Sequence, residues 1–218
     1  MAQPSVATPY PASLSVEFPD RNLNRLTSFF RIFTIIPIMI ILALLIGSNS
    51  GSGWNEGARE SMRRSVDLGG IGITFLPLVL MILFRQKYPR WWYDWNLALT
   101  KFSNRVGAYL LLLRDEYPST DEEQTVHIDF PYPDVKSLNR WLPLIKWLLA
   151  IPHIIVLAVL AIAVLVVWVI AWFAILFTGR YPRAMFDFIV GWMRWGLRVE
   201  AYALLLITDR YPPFSLSP

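Results

Sequence analysis

The chain has 218 residues; 55% are hydrophobic, 15% aromatic and only 17% charged, and the formal net charge is +4. Charged residues fall well short of the roughly 25% usual in globular domains, and the mean hydropathy is +0.43. That excludes a disordered or nucleic-acid-coating chain despite an isoelectric point near 9.5, and the absence of cysteine excludes disulfide scaffolds and thiolate metal sites.

A polar tail, residues 1–12, opens the chain with prolines at 4, 9 and 11. Leu14, Val16 and Phe18 then alternate with Ser15 and Glu17, the period-two pattern of a strand. Three runs without Asp, Glu, Lys or Arg follow, at 32–46, 68–84 and 147–177. The last has 31 residues and a single histidine. A bilayer core of about 30 Å accepts roughly 20 apolar residues as a helix, so the sequence predicts an integral membrane protein. The polar lead before the first run is too long for the n-region of a removable signal peptide.

Ordered blocks recur. Leu14-Ser-Val-Glu-Phe-Pro19 returns as Val126-His-Ile-Asp-Phe-Pro131, and Leu23-Asn-Arg25 as Leu138-Asn-Arg140. Arg31 matches Lys146, Pro37 matches Pro152, and Tyr88-Pro-Arg90 matches Tyr181-Pro-Arg183. Ala108-Tyr109, a leucine tail and Asp115-Glu-Tyr-Pro118 return as Ala201-Tyr202, its leucine tail and Asp209-Arg-Tyr-Pro212. The chain is therefore expected to be a tandem duplication, with membrane repeats at 1–119 and 120–218 joined by the acidic stretch 119–124. The two strand-like pieces are expected to pair across a pseudo-two-fold axis.

The expected fold class is an all-α integral membrane protein. Each repeat is read as a strand-like segment, a short transmembrane helical hairpin and an interfacial amphipathic helix. The first half carries about 22 extra residues, 47–68, rich in Gly and Ser and holding Arg59, Arg63 and Arg64. A hairpin takes these at its tip. A single spanning helix in the other half would set them against mid-bilayer, where lipid-exposed irregular backbone is not tolerated. Of 20 Lys and Arg, 17 lie outside the insertion, which predicts a multi-pass protein with both termini cytoplasmic. An even number of crossings makes the repeats parallel. The alternative is one tilted helix over 147–177, because 16 residues make only about 24 Å of helix and nothing near Ala161 marks a turn.

After each Tyr-Pro-Arg turn comes a helix with a charged stripe. Asp94, Ala98, Lys101 and Arg105 share one face in the first half, as do Asp187, Gly191, Arg194 and Arg198 in the second. Trp95 with Leu99, Phe102 and Val106, and Trp192 and Trp195 with Phe188 and Val199, form an apolar stripe beside it. These helices are read either as lying in the interface, with Trp95, Trp192 and Trp195 at headgroup depth and the cations on anionic phospholipid, or as packing on the hairpins. The remaining face is polar in the first half (Asn96, Thr100, Ser103, Asn104) and apolar in the second (Ile189, Met193, Gly196, Leu197). Glu200 lies off the charged stripe and needs a partner, with a structural ion pair favoured over a reactive carboxyl.

No catalytic motif is found. His127 and His153 are not repeated, and neither has a second ligand in sequence to build a metal site; His153 reads as an interfacial or capping residue. No nucleophile elbow, phosphate loop or dinucleotide fingerprint occurs, so no catalytic residue, metal or cofactor is expected. Four blocks, Phe177-Thr-Gly-Arg-Tyr-Pro182, Phe186-Asp-Phe, Leu197-Arg-Val-Glu-Ala-Tyr202 and Asp209-Arg-Tyr-Pro-Pro-Phe214, resemble a bacterial membrane-protein family known as domain of unknown function 4389. The first half departs from the pattern, with Arg85-Gln-Lys in place of Thr-Gly-Arg. The resemblance implies a plasma-membrane protein and supplies no site residues. The expected role is a non-enzymatic scaffold or accessory subunit of a membrane complex; the alternative is a passive channel or lipid-handling protein. Its partners would be the bilayer, other membrane subunits or a second copy, and not nucleic acid.

Overall fold

The computed structural model describes residues 10–19, 23–46, 78–120, 122 and 124–217. The insertion at 47–68 with Arg59, Arg63 and Arg64, most of the run at 68–84, and the prolines at 4 and 9 lie outside the described residues. The elements in chain order are β1 (Ser13–Val16), α1 (Arg25–Thr34), α2 (Ile36–Ile46), a π-helical turn (Met81–Arg85), α3 (Arg90–Leu110), β2 (Val126–Asp129), α4 (Pro143–Thr178) and α5 (Arg183–Ala203).

The hairpin expected within 147–177 is not formed. These residues belong to α4, one helix of 36 residues and about 54 Å. Pro143 stands in its first turn, where a missing N–H has no intrahelical acceptor to lose. Beyond Pro152 the segment is an unbroken series of aliphatic and aromatic residues with no turn-former, so nothing stops the helix before Gly179. That residue adopts φ 75° and gives its N–H to the Ile175 carbonyl at 2.7 Å, a left-handed cap to which glycine is best suited.

The return leg is α5. Trp192 Nε1 donates to the Leu157 carbonyl at 3.1 Å, Trp195 Nε1 to His153 Nδ1 at 3.0 Å, and the Lys146 ammonium lies 5.1 Å from the Tyr202 ring. Rising numbers on one helix meet falling numbers on the other, so the pair is antiparallel. In the first half, Asn24 caps α1 by accepting from Leu26 N at 3.0 Å. The chain then bends by 51° between α1 and α2. Ile35 and Ile38 pack with Phe102, Val106 and Tyr109 of α3.

The strand-like pieces form the expected ribbon, antiparallel, with Ser15 opposite His127 and Leu14 opposite Ile128. An isolated ribbon is marginally stable, and here each strand packs on the helix of the other half: β1 against α5 and β2 against α3. Phe18 meets the edge of Phe186 with centroids 5.0 Å apart, and the Tyr93 hydroxyl donates to the Phe130 carbonyl. The tyrosines of the two Tyr-Pro-Arg turns also cross over. Tyr88 donates to the Leu205 carbonyl at 2.8 Å and Tyr181 to the Leu111 carbonyl at 3.4 Å. The main apolar core accordingly draws on both sides of residue 119.

Helices α3 and α5 end alike. Leu112 (φ 63°) and Leu206 (φ 54°) are left-handed, a conformation costing about 1–2 kcal/mol outside glycine. Both side chains are almost fully buried, and burying a leucine returns about 1.5–3 kcal/mol. Packing therefore outweighs backbone strain, and leucine stands where glycine would otherwise be favoured.

Substituting Gly179→Ala puts a Cβ at the α4 cap and should lower the unfolding free energy by about 1 kcal/mol. Gln86, left-handed at the end of the π-helical turn (φ 45°), should behave oppositely, with Gln86→Gly neutral or stabilising. Thermal unfolding in detergent checks both, and equal effects of the two changes would refute the cap geometry.

Candidate functional site

Two buried cations, Arg31 in the last turn of α1 and Lys146 near the start of α4, each anchor a later stretch of chain. Lys146 Nζ lies 2.7 Å from Asp209 Oδ1 and donates to the Thr208 carbonyl at 2.7 Å. Asp209 Oδ2 in turn accepts from Asn139 N at 2.6 Å, and Asn139 Oδ1 from Trp141 N at 3.0 Å. The first half repeats this arrangement. The Arg31 guanidinium pairs with Asp115, donates to the Tyr109 carbonyl at 3.0 Å and lies 4.5 Å from the Tyr109 ring centre. Asp115 Oδ2 accepts from Asn24 N at 2.8 Å. The sequence aligns Arg31 with Lys146 but leaves their carboxylate partners unseen, because Asp115 and Asp209 lie some 60 to 85 residues away. Their shared place in the Asp-x-Tyr-Pro exits was the available signal.

Between α3 and α5 lies a cleft of about 350 Å³, lined by Ser103, Asn104 and Gly107 of α3, Leu111 just past its end, Leu157 of α4, and Trp192, Met193, Gly196, Leu197 and Glu200 of α5. The wet face of the first helix and the apolar face of the second thus confront each other. Glu200 has no ion pair among the described residues; its Oε1 accepts from the Thr100 hydroxyl at 3.1 Å. Burial pushes the Glu200 carboxyl above its ordinary range, and the Thr100 hydrogen bond offsets part of that.

The charged and aromatic stripes divide between surface and interior. Asp94 and Trp95 are exposed, Lys101 is half-buried, and Asp187 is exposed beside Arg183 at 4.0 Å. Arg105 donates to the Ser119 carbonyl at 2.7 Å. Arg194 donates to the Leu14 carbonyl at 3.1 Å and the Leu216 carbonyl at 3.2 Å, while Arg198 reaches the Ser217 carbonyl at 2.8 Å. Arg198 and Trp195 are each only 4% exposed, so on α5 these residues tie down β1 and the C-terminal tail. Trp192 is half-buried.

His153 does not cap a helix, since it lies within α4. It is fully buried, stacked on Phe214 at 3.9 Å and beside Tyr211 at 4.8 Å. Sequence reading missed this aromatic box because Tyr211 and Phe214 return to α4 only through the tail. Among the described residues no group of three His, Cys, Asp or Glu is placed to hold a metal ion.

Residues 141–215 match a domain of unknown function, DUF4389. The match covers α4, α5 and the tail, which together carry the Lys146–Asp209 pair and one wall of the cleft. No curated protein and no solved structure matches the chain.

Removing one partner of a buried pair strands the other charge, so Asp209→Leu should cost about 3–5 kcal/mol. Adding Lys146→Met should recover most of that loss, and failure to recover it in chemical unfolding would mean the aspartate acts chiefly through Asn139. Because folding raises the Glu200 carboxyl above its unfolded value, the folded state binds the proton more tightly. That stabilisation is complete below the unfolded value, near 4.5, and is lost as pH rises through the folded one. Glu200→Gln should flatten this fall in melting temperature between wild type at acidic and neutral pH.

Proposed function

We propose that this chain is a bacterial plasma-membrane protein, built by tandem duplication, that serves without catalysis as a scaffold or accessory subunit of a membrane complex. One observation carries the reading. Helix α4 is long and apolar enough to cross a bilayer, yet α5 packs on only one side of it. Val159, Ile162 and Phe177 are each more than 60% exposed. On α1, Leu26 and Phe33 are 71% and 66% exposed, and Phe29 stacks with Trp172 of α4 at 6.3 Å. Soluble monomers rarely expose contiguous apolar patches beyond a few hundred Å², so lipid or membrane partners must cover this face.

The proposed seating is one-sided. At about 54 Å, α4 greatly exceeds a core of about 30 Å. Its partner α5 carries Arg194 and Arg198 and lies against a ribbon with exposed Glu17, His127 and Asp129, which do not suit hydrocarbon. We place α4 and α1–α2 in the cytoplasmic leaflet, with α5, the ribbon and both termini in the cytosol. This keeps the expectation that each half returns to the side it left, without hairpins that cross. Exposed Trp91 and Trp95, with Lys101, suit anionic headgroups at the rim. The reciprocal bonds of Tyr88 and Tyr181, the exchanged strands and the paired cation sites support the duplication. A second reading, lipid handling, draws on the cleft between α3 and α5.

The chain has no native cysteine, so single cysteines at Ser137 and Thr178 test the seating directly. Both should react with an impermeant maleimide only from the cytoplasmic side, in protein that resists alkaline extraction from membranes. Reaction of Thr178→Cys from the outside would replace the one-sided seating with a spanning helix. Solute flux through vesicles holding only this protein would overturn the scaffold role.

A further inference from the structure

We propose that the cleft between α3 and α5 binds an amphipathic molecule by its cationic amine, with Glu200 as counter-ion and the apolar body against Trp192, Met193 and Leu157. The inference goes beyond the scaffold reading and does not depend on it. A volume of about 350 Å³ falls at the lower end of small-molecule sites, and the walls leave room. A Cβ built on Gly196 meets nothing within 4 Å, and one on Gly107 meets only the Met193 methyl at 3.6 Å.

The polar groups of the cleft select the ligand by their hydrogen-bond balance. The Ser103 hydroxyl donates to the Leu99 carbonyl, Asn104 Nδ2 to the Thr100 carbonyl at 2.9 Å, and the Trp192 indole N–H to the Leu157 carbonyl at 3.1 Å. The Thr100 hydroxyl is given to Glu200 Oε1. The Ser103, Thr100 and Trp192 donors and one Asn104 N–H are thereby engaged, whereas acceptors remain among the described residues: the second Glu200 oxygen, the Asn104 amide oxygen and the Ser103 lone pairs. Among the described residues no lysine or arginine lines the walls. A carboxylate with no ion pair among the described residues, and acceptors left over, fit an ammonium group, which supplies donors and charge together. An anion would meet repulsion, and a neutral alcohol would leave the charge unanswered.

The test uses the full-length protein in an uncharged detergent with dodecylammonium as probe and dodecanol and dodecanoate as controls. Dodecylammonium should bind saturably and raise the melting temperature, with dodecanol at least tenfold weaker and dodecanoate inactive. Glu200→Gln, which keeps an acceptor for Thr100, should weaken the amine at least tenfold and leave dodecanol unchanged. Gly196→Leu should abolish binding by filling the cleft while retaining a wild-type melt without ligand. Native mass spectrometry from nanodiscs of equal phosphatidylethanolamine and phosphatidylcholine separates the sources: retained phosphatidylethanolamine, lost in Glu200→Gln, assigns a lipid headgroup, and amine binding without it assigns a free lipophilic amine. Equal affinity for dodecylammonium and dodecanol, or wild-type amine affinity in Glu200→Gln, overturns the proposal.

Discussion

The Lys146 ammonium, withdrawn from water near the start of α4, has to be neutralised, and the rest of the second half is arranged around that need. Desolvating a lysine ammonium costs several kcal/mol unless its partners are well placed. Lys146 finds its carboxylate and a carbonyl at 208–209, on the strand of chain that follows α5. Satisfying the charge therefore brings the tail back to the beginning of α4. With the tail held there, Tyr211 and Phe214 close over His153, and Leu216 seats on Gly191. A Cβ at Gly191 would fall 2.8 Å from the Leu216 carbonyl oxygen, so glycine is required for that close approach. Arg194 and Arg198 then complete the seam by donating to backbone carbonyls of the tail and of β1.

That seam was hidden in the sequence, whereas the elements themselves were legible because they depend on local period and on recurring blocks. The alternation at Leu14, Val16 and Phe18 gave β1, the like alternation at Val126, Ile128 and Phe130 gave β2, and the spacing of Asp94, Lys101 and Arg105 placed them on a single helix. The wet face of α3 and the greasy face of α5 were also legible as separate patterns. Their meeting across one cleft was not, since the residues that confront each other, such as Thr100 and Glu200, stand 100 positions apart.

The length of α4 was read wrongly for a physical reason. The insertion at 47–68 had been used to infer a turn in the matching part of the second half, but a helix stops only where its own residues stop it. Between Pro152 and Gly179 nothing does. The turn supplying the return leg is Gly179 itself, two residues before the Tyr-Pro-Arg motif. The direction of the arginines on α5 was equally hidden, because amphipathic spacing gives a face without saying what covers it. Here the cover is the chain's own ribbon and tail.

The crossed placement of the strands has a consequence for what the stretch at 119–124 does. Each half hands its strand and its turn tyrosine to the opposite half, so neither possesses a complete set of surfaces when alone. Two separate polypeptides could satisfy those surfaces only by meeting at a sufficient concentration. A short covalent tether replaces that encounter with an intramolecular one at an effective concentration on the order of millimolar, which makes assembly independent of how much protein the cell produces.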